Sequence, residues 1–264
     1  FNIFSKRNDK VRAFFSQILS CYRLAILKVI RPKIIITMID NSGVFHELAK
    51  NYSSSEFFAI QNALRANYDL KKPTKFYIPH YFCFGDYTID IMGKNNHTIL
   101  NYYPIGSFRL GISDKYMRTN SVEEYDIGIV SQFRPQQLLL NGIGNSTDDE
   151  IMEMQEAHIK FHKYLSRYIK ESKKNTVIIM ATDRDDEVDY YGKIYGKNVN
   201  YLPRVEEQLS SFDALYRCKF IVTFFSSLSI EAFGIEKKIL HIDFTESNNW
   251  NDYNSQIVLT KPNY

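Results

Sequence analysis

The chain has 264 residues, 44% of them hydrophobic, enough for one large or two ordinary domains with real cores. A formal net charge of +3, with 19 Tyr and 19 Phe spread along the chain rather than set in a basic RNP-like motif, marks no nucleic-acid binder. Cys21, Cys83 and Cys218 have no metal-ligand spacing, and no run of about 18 uncharged apolar residues or signal peptide is visible, so a cytoplasmic protein without a transmembrane helix is expected.

Phe1 is not a natural start, and the first domain is expected to lack an N-terminal portion. Val11 to Ile30 carries apolar residues at helical spacing, among them Phe15, Ile18, Leu19, Tyr22 and Val29. Arg12, Arg23 and Lys28 flank them. Such a basic amphipathic helix more often packs on a sheet, but it could also lie on an anionic membrane such as the bacterial inner membrane. Pro32 ends it. Lys33 to Ile39 follows as a continuous apolar strand, of the sort buried on both faces of a parallel sheet. Asp40-Asn41-Ser42-Gly43 then turns into a helix from Val44 to Asn51. Further strands are expected at Phe57 to Ile60, Tyr81 to Phe84 and Ile99 to Tyr103, with a polar loop from Gln61 to Arg65 and a helix from Asp86. Alternating helices and buried strands predict an open α/β sheet. In such sheets ligands sit outside the carboxyl ends of the strands. Asp40, Asn41, Gln61, Asn62 and Arg65 are placed there, although Asp40 and Asn41 could merely cap a helix.

Pro104 to Gly111 holds a proline and two glycines, and Ser113 to Glu124 is polar; together they read as a linker. A second α/β unit opens with the strand Asp126 to Val130 and the loop Ser131-Gln132-Phe133-Arg134-Pro135 at its carboxyl end. Residues 136–147 read as a long loop and Asp148 to Glu171 as a helix. Its His158 and His162 are four apart with no third ligand near, which fits a surface pair rather than a metal site. Thr176 to Ala181 is a strand. The acids of Thr182 to Glu187 are interrupted by Arg184 and read as a solvated loop rather than a Mg²⁺ site. Val199 to Leu202 is a short strand and Glu206 to Cys218 a helix. From Phe220 the chain reads as buried strand, hydroxyl turn at Ser226 and Ser227, helix to Gly234, and a strand from Lys237 to Phe244. A helix start with two serines suits a phosphate, and Glu231, one turn deeper, could hold a ribose diol. Equally, Ser226 could only cap the helix and Glu231 be solvated. Residues 246–264 are polar until Ile257-Val258-Leu259.

Two such units joined by a linker make a cleft, with Asp40, Asn41, Gln61, Asn62 and Arg65 on one side. Gln132, Arg134, Ser226, Ser227 and Glu231 lie on the other. The chain lacks G-x-G-x-x-G, G-x-x-x-x-G-K-[ST] and G-x-S-x-G, which disfavours dinucleotide oxidoreductases, P-loop NTPases and α/β-hydrolases.

Arg31 to Asn41, Phe58 to Arg65, Pro104 to Arg109 and Ile129 to Arg134 resemble segments of bacterial surface-carbohydrate biosynthesis proteins, the glycosyltransferases of O-antigen and capsule clusters. More remotely they are similar to β-Kdo transferases that use CMP-Kdo. The resemblance implies a GT-B architecture: a partial N-terminal Rossmann-like acceptor domain (1–105) facing a C-terminal nucleotide-sugar domain (106–264) across a cleft. Where that family often shows Gly after Gln-Asn, this chain has Ala63. The expected activity is transfer of a sugar from a nucleotide-sugar donor to a growing polysaccharide or lipid-linked glycan. Asp40 would act as base or nucleophile. Arg134, Ser226 and Ser227 would neutralise the leaving phosphate, with no metal or cofactor. The open alternatives are a sugar-nucleotide epimerase or polyol-phosphate transferase on the same scaffold, and a non-catalytic α/β binding module of a larger assembly protein.

Overall fold

The computed structural model describes residues 2–65, 75–117, 122–133, 148–182, 184–205, 209–224, 226–242 and 244–245, without the side chains of 2–14, 16, 148 and 150. The chain divides into two compact units, Phe1–Asn62 with Leu70–Gly106, and Ala63–Asp69 with Ser107–Tyr264.

The first unit contains α1 (Asn2–Ile30), β1 (Ile34–Thr37), α2 (Gly43–Asn51), β2 (Glu56–Ile60), β3 (Tyr77–Cys83), α3 (Asp86–Lys94) and β4 (Thr98–Pro104). Its four strands are parallel and lie in chain order, β1-β2-β3-β4. Ser42 caps α2, its hydroxyl accepting from Phe45 N at 3.3 Å. The apolar stripe Phe45, Ala49 and Tyr52 then packs on Phe57, Ala59, Ile78 and Tyr81, together with Ile91 and Met92 of α3. Leu24 and Leu27 of α1 join this core, and the Tyr52 hydroxyl donates to Leu27 O at 2.9 Å. Two expectations need correction. The apolar run of β1 is not buried on both faces: β1 is an edge strand, with Ile34 and Ile36 exposed. An apolar run reports β-propensity but not the strand's place in the sheet. And β3 starts at Tyr77, four residues ahead of the expected Tyr81. Pro79 hides its first half, since proline argues against an interior strand.

The second unit holds α4 (Phe108–Met117), β5 (Tyr125–Val130), α5 (Asp148–Ser172), β6 (Thr176–Ile179), α6 (Asp185–Tyr195), β7 (Asn200–Leu202), α7 (Ser210–Tyr216), β8 (Cys218–Thr223), α8 (Leu228–Gly234) and β9 (Lys238–His241). Its parallel sheet runs β7-β6-β5-β8-β9. Ile129, Ile178 and Val222 face Phe161 of α5 and Tyr191 of α6 in one core. Val130, Val177 and Ile221 face Phe212 and Leu215 of α7 and Ala232 of α8 in another. With helices on both faces and the order reversing at β5, the sheet is doubly wound. At the centre, β5 and β8 approach closely at Gly128, where a Cβ would lie 2.6 Å from Cys218 Sγ.

The expected linker is partly a helix. Gly106, at φ +79°, makes the turn, and the Ser107 hydroxyl accepts from Leu110 N at 3.2 Å to start α4. Leu110 packs on the α7–α8 core, Ser113 is buried, and the Tyr216 hydroxyl donates to Asp114 at 2.5 Å. These contacts outweigh the roughly 1 kcal/mol that Gly111 costs inside a helix. The charged stretch after β6 is also not a solvated loop: it opens α6, with Asp185, Asp186 and Glu187 in the first turn where the helix dipole favours acids. Nor are the two histidines of α5 a surface pair. His162 is buried, with Nδ1 2.6 Å from the Tyr195 hydroxyl and Nε2 2.9 Å from His158 Nε2. Burial pushes His158 down to about 4 and His162 lower still, so both are neutral core groups. Among the described residues no group of three or more potential ligands could hold a metal. No described helix is long and apolar enough to cross a membrane.

Candidate functional site

In the second unit the chain leaves β5 toward β6 on one side and reaches β8 on the other. The crevice outside the carboxyl ends of β5 and β8 is therefore a topological switch point, the place where open α/β sheets take ligands. Ser131, Gln132 and Phe133 follow β5, and Phe224, Ser226 and Ser227 follow β8. Arg134 lies outside the described residues.

The β8–α8 turn is held by its own groups. Thr223 Oγ1 accepts from Ser226 N at 3.2 Å, Ser226 Oγ from Leu228 N at 3.3 Å, and Ser226 O from Ser229 N and Oγ at 3.2 and 2.6 Å. Ser227, at the N-cap position, makes no side-chain cap, so the capping expected of Ser226 and Ser227 is supplied by Ser226 alone, through a two-residue turn. Four amides of this turn, Ser226, Leu228, Ser229 and Ile230, already have partners within the chain. The side chains of Ser226 and Ser227, both half-buried, remain the stronger anion donors.

Glu231, on α8, is buried rather than solvated and accepts a hydrogen bond from the Ser107 hydroxyl at the start of α4. Burial raises its pKa, against the opposing pull of the Ser107 hydroxyl and the Arg109 charge. A second polar pair at this end escaped sequence reasoning. Ser229 is fully buried, and its Oγ lies 3.2 Å from His241 Nε2 at the end of β9. Because the Ser229 proton goes to Ser226 O, His241 donates through Nε2, and burial holds its pKa near 4. Twelve residues separate the two, and only the β8–β9 pairing, Thr223 opposite His241, brings them together.

A third element of this end was equally hidden. Glu187 is fully buried and accepts from the Ser131 hydroxyl, Ala181 N at 2.9 Å, Thr182 N at 2.8 Å and Thr182 Oγ1 at 2.6 Å. One carboxylate thus ties the segments after β5 and β6 together beneath Gln132.

In the first unit Asp40 is fully buried after β1. Its Oδ2 accepts from the Tyr81 hydroxyl at 2.7 Å and its Oδ1 from Asn62 N at 3.5 Å. It caps no helix; Ser42 does. Asn41 is exposed. Gln61 is buried, its Oε1 accepting from Phe84 N at 2.7 Å and Thr88 Oγ1 at 3.1 Å, so it clamps the β2 and β3 ends together. Asn62 is half-buried, and Arg65, grouped with the second unit, is buried.

No protein-family profile and no curated protein matches the chain. Solved structures do. S. aureus MnaA, solved with UDP, aligns over 99% of this chain and 74% of its own, with TM-score 0.58 and 15% identity. A Listeria monocytogenes protein assigned as a UDP-N-acetylglucosamine 2-epimerase aligns over 90% of this chain and 64% of its own, with TM-score 0.52 and 13% identity. The fold is GT-B-like. At these identities the likeness concerns the fold, with two Rossmann-like units, and no β-Kdo or O-antigen transferase stands among these two neighbours.

Proposed function

We propose that the chain belongs to an enzyme acting on a nucleotide sugar, with the nucleotide held at the β5–β8 crevice of the second unit. The observation that carries this is the buried carboxylate of Glu231 one turn beyond a serine turn, at the switch point of a doubly wound sheet. A carboxylate there can accept both hydroxyls of a ribose, while Ser226, Ser227, Gln132 and Arg134 are the candidate phosphate donors. That a neighbour of the same fold was solved with UDP supports a uridine nucleotide first.

The first reading of the reaction is inversion at one carbon of the sugar while it stays attached to the nucleotide. It is favoured over transfer by the epimerase assigned to the Listeria neighbour. Asp40, paired with the Tyr81 hydroxyl, is the candidate proton-handling group of the first unit. The second reading is transfer to a glycan or lipid-linked acceptor. It is favoured by the next strand end carrying Gln61, which cannot ionise and is engaged by Phe84 and Thr88. Transfer needs one base on an acceptor hydroxyl, whereas inversion by proton removal and return calls for a group on each face of the sugar.

Incubating the enzyme with UDP-N-acetylhexosamines in D2O, without acceptor, separates the readings. An epimerase produces the second epimer with deuterium at the inverted carbon. No conversion, together with UDP release only when a glycan acceptor is added, establishes transfer. Asp40→Asn abolishes turnover in either case, and full activity in that variant removes Asp40 from the chemistry.

A further inference from the structure

The first unit is half of a sheet. Its crossovers run β1 to β2 to β3 to β4 in one direction, and α2 and α3 pack on the same core. Right-handed crossovers in one direction put every helix on one face. The other face carries Ile34, Ile36, Phe58, Phe82 and Tyr103, and no described helix packs on it. Ile34 is 57% and Ile36 62% exposed, while Phe58, His80, Phe82 and Tyr103 form a stacked aromatic row beside them. The outer edge of β1 has no strand beside it among the described residues. An apolar edge of this kind is a template for further pairing.

Helix α1 points to the same gap. It has 29 residues, about 44 Å of helix, yet joins the core through Leu24 and Leu27 near its end. Phe15, Ile18, Leu19, Tyr22 and Val29, at helical spacing, are exposed, Tyr22 by 63%. The hand of the crossover fixes where the strand feeding α1 must lie. Because α1 shares the face of α2, a right-handed connection into β1 has to come from beyond the open edge of β1. That position is underneath the exposed stripe.

We propose that the polypeptide leading into α1 supplies further parallel βα units. These pair along the open edge of β1, lie under the stripe of α1, and send their own helices across the Ile36–Phe58–Phe82 face. The S. aureus structure leaves about a quarter of its chain unmatched, since the alignment covers 74% of it, which is length enough for such units. Units added at that edge in the reverse order put their helices on the bare face, making β1 a second switch point beside Asp40. A second copy pairing edge to edge through β1 supplies a strand, but an axis perpendicular to the sheet leaves the face bare in both copies. A bilayer is a poor match for the His80–Glu56 pair, 2.9 Å apart, and the exposed Asn101 at this surface. This proposal stands apart from the nucleotide reading.

The test uses the protein made from its own gene in its natural reading frame. Ile36→Asp and Tyr22→Lys are compared with wild type by thermal unfolding and by light scattering after gel filtration. The proposal expects a monomer whose melting temperature drops by at least about 5 °C in each variant, and slow amide exchange at both alternating sets of β1 amides in wild type. The exchange measurement decides the matter even if a variant fails to fold. Exchange of every second β1 amide within seconds, or variants that melt with wild type, overturns the proposal. So does a dimer that Ile36→Asp splits, which assigns the surface to a second copy. Binding to phosphatidylglycerol vesicles that Tyr22→Lys abolishes assigns the stripe to a membrane and overturns it too.

Discussion

Replacing Glu187 by Gln changes one atom of the side chain, and the structure says what that atom meets. Each carboxylate oxygen takes two donors: Ser131 Oγ and Ala181 N on one, Thr182 N and Thr182 Oγ1 on the other. A glutamine keeps one oxygen and turns an NH2 toward the other pair. The hydroxyls can rotate to accept, but a backbone N–H cannot. In either orientation one buried amide, Ala181 or Thr182, therefore loses its acceptor, at about 1–3 kcal/mol, and the surviving bonds lose their charge assistance. A neutral side chain avoids some desolvation, so the net expectation is a loss of about 2–4 kcal/mol. For a chain of this size that is about 5–10 °C in melting temperature. Urea unfolding followed by tryptophan-independent circular dichroism reads it as a lower midpoint at unchanged slope. Because Glu187 lies beneath the loop that carries Gln132, nucleotide affinity should fall as well. A midpoint shift worth less than about 0.5 kcal/mol refutes the view that this carboxylate is a fully satisfied clasp.

Three further outcomes are expected. Gly128→Ala places a Cβ 2.6 Å from Cys218 Sγ and 3.1 Å from Ile221 Cδ1 where β5 meets β8. It should cost about 1–3 kcal/mol, and pairing it with Cys218→Ala should recover part of that in a double-mutant cycle. Acid should destabilise the second unit between about pH 6.5 and pH 4. His158 and His241 have folded pKa values near 4, so over that window the unfolded chain binds more protons and stability falls as pH falls. Glu124 and Asp126, held low by Arg217 and Lys219, add their loss only below that window. Equal urea midpoints at pH 7 and pH 5 contradict this. Glu231 has the opposite sign. Its raised pKa means the folded state holds the proton more tightly, so its contribution weakens as pH rises through that value. Glu231→Gln should therefore be at least as stable as wild type at pH 8; a clear loss there would show that the charged form stabilises the fold.

Much of the secondary structure is legible in the sequence, and the errors have a common origin. Alternating apolar runs and amphipathic stretches locate α1, α2, β2, β4, β5, α5 and β8 because each depends on local periodicity. Hydroxyl turns and strand ends place Asp40, Gln61, Ser226 and Glu231 at carboxyl ends for the same reason. What periodicity cannot carry is which neighbours an element meets. The run Ile34-Ile35-Ile36 looks interior and is an edge; Glu187 looks solvated and is the most enclosed acid of its unit; His162 looks like a surface residue and faces Tyr195. Ser107 reads as part of a linker, yet it orients Glu231 across 124 positions of sequence. Each of these depends on contacts made by another element, and no window of a few residues contains them.

The central claim is that the β5–β8 crevice binds a nucleotide through Glu231. Isothermal titration of wild type and Glu231→Gln with UDP at pH 8 tests it most directly. Wild type should bind, and the variant, equally well folded, should bind about 10–100-fold more weakly, the worth of charge-assisted hydrogen bonds to the ribose. Equal affinity in the two proteins would contradict the account and move the nucleotide elsewhere in the chain.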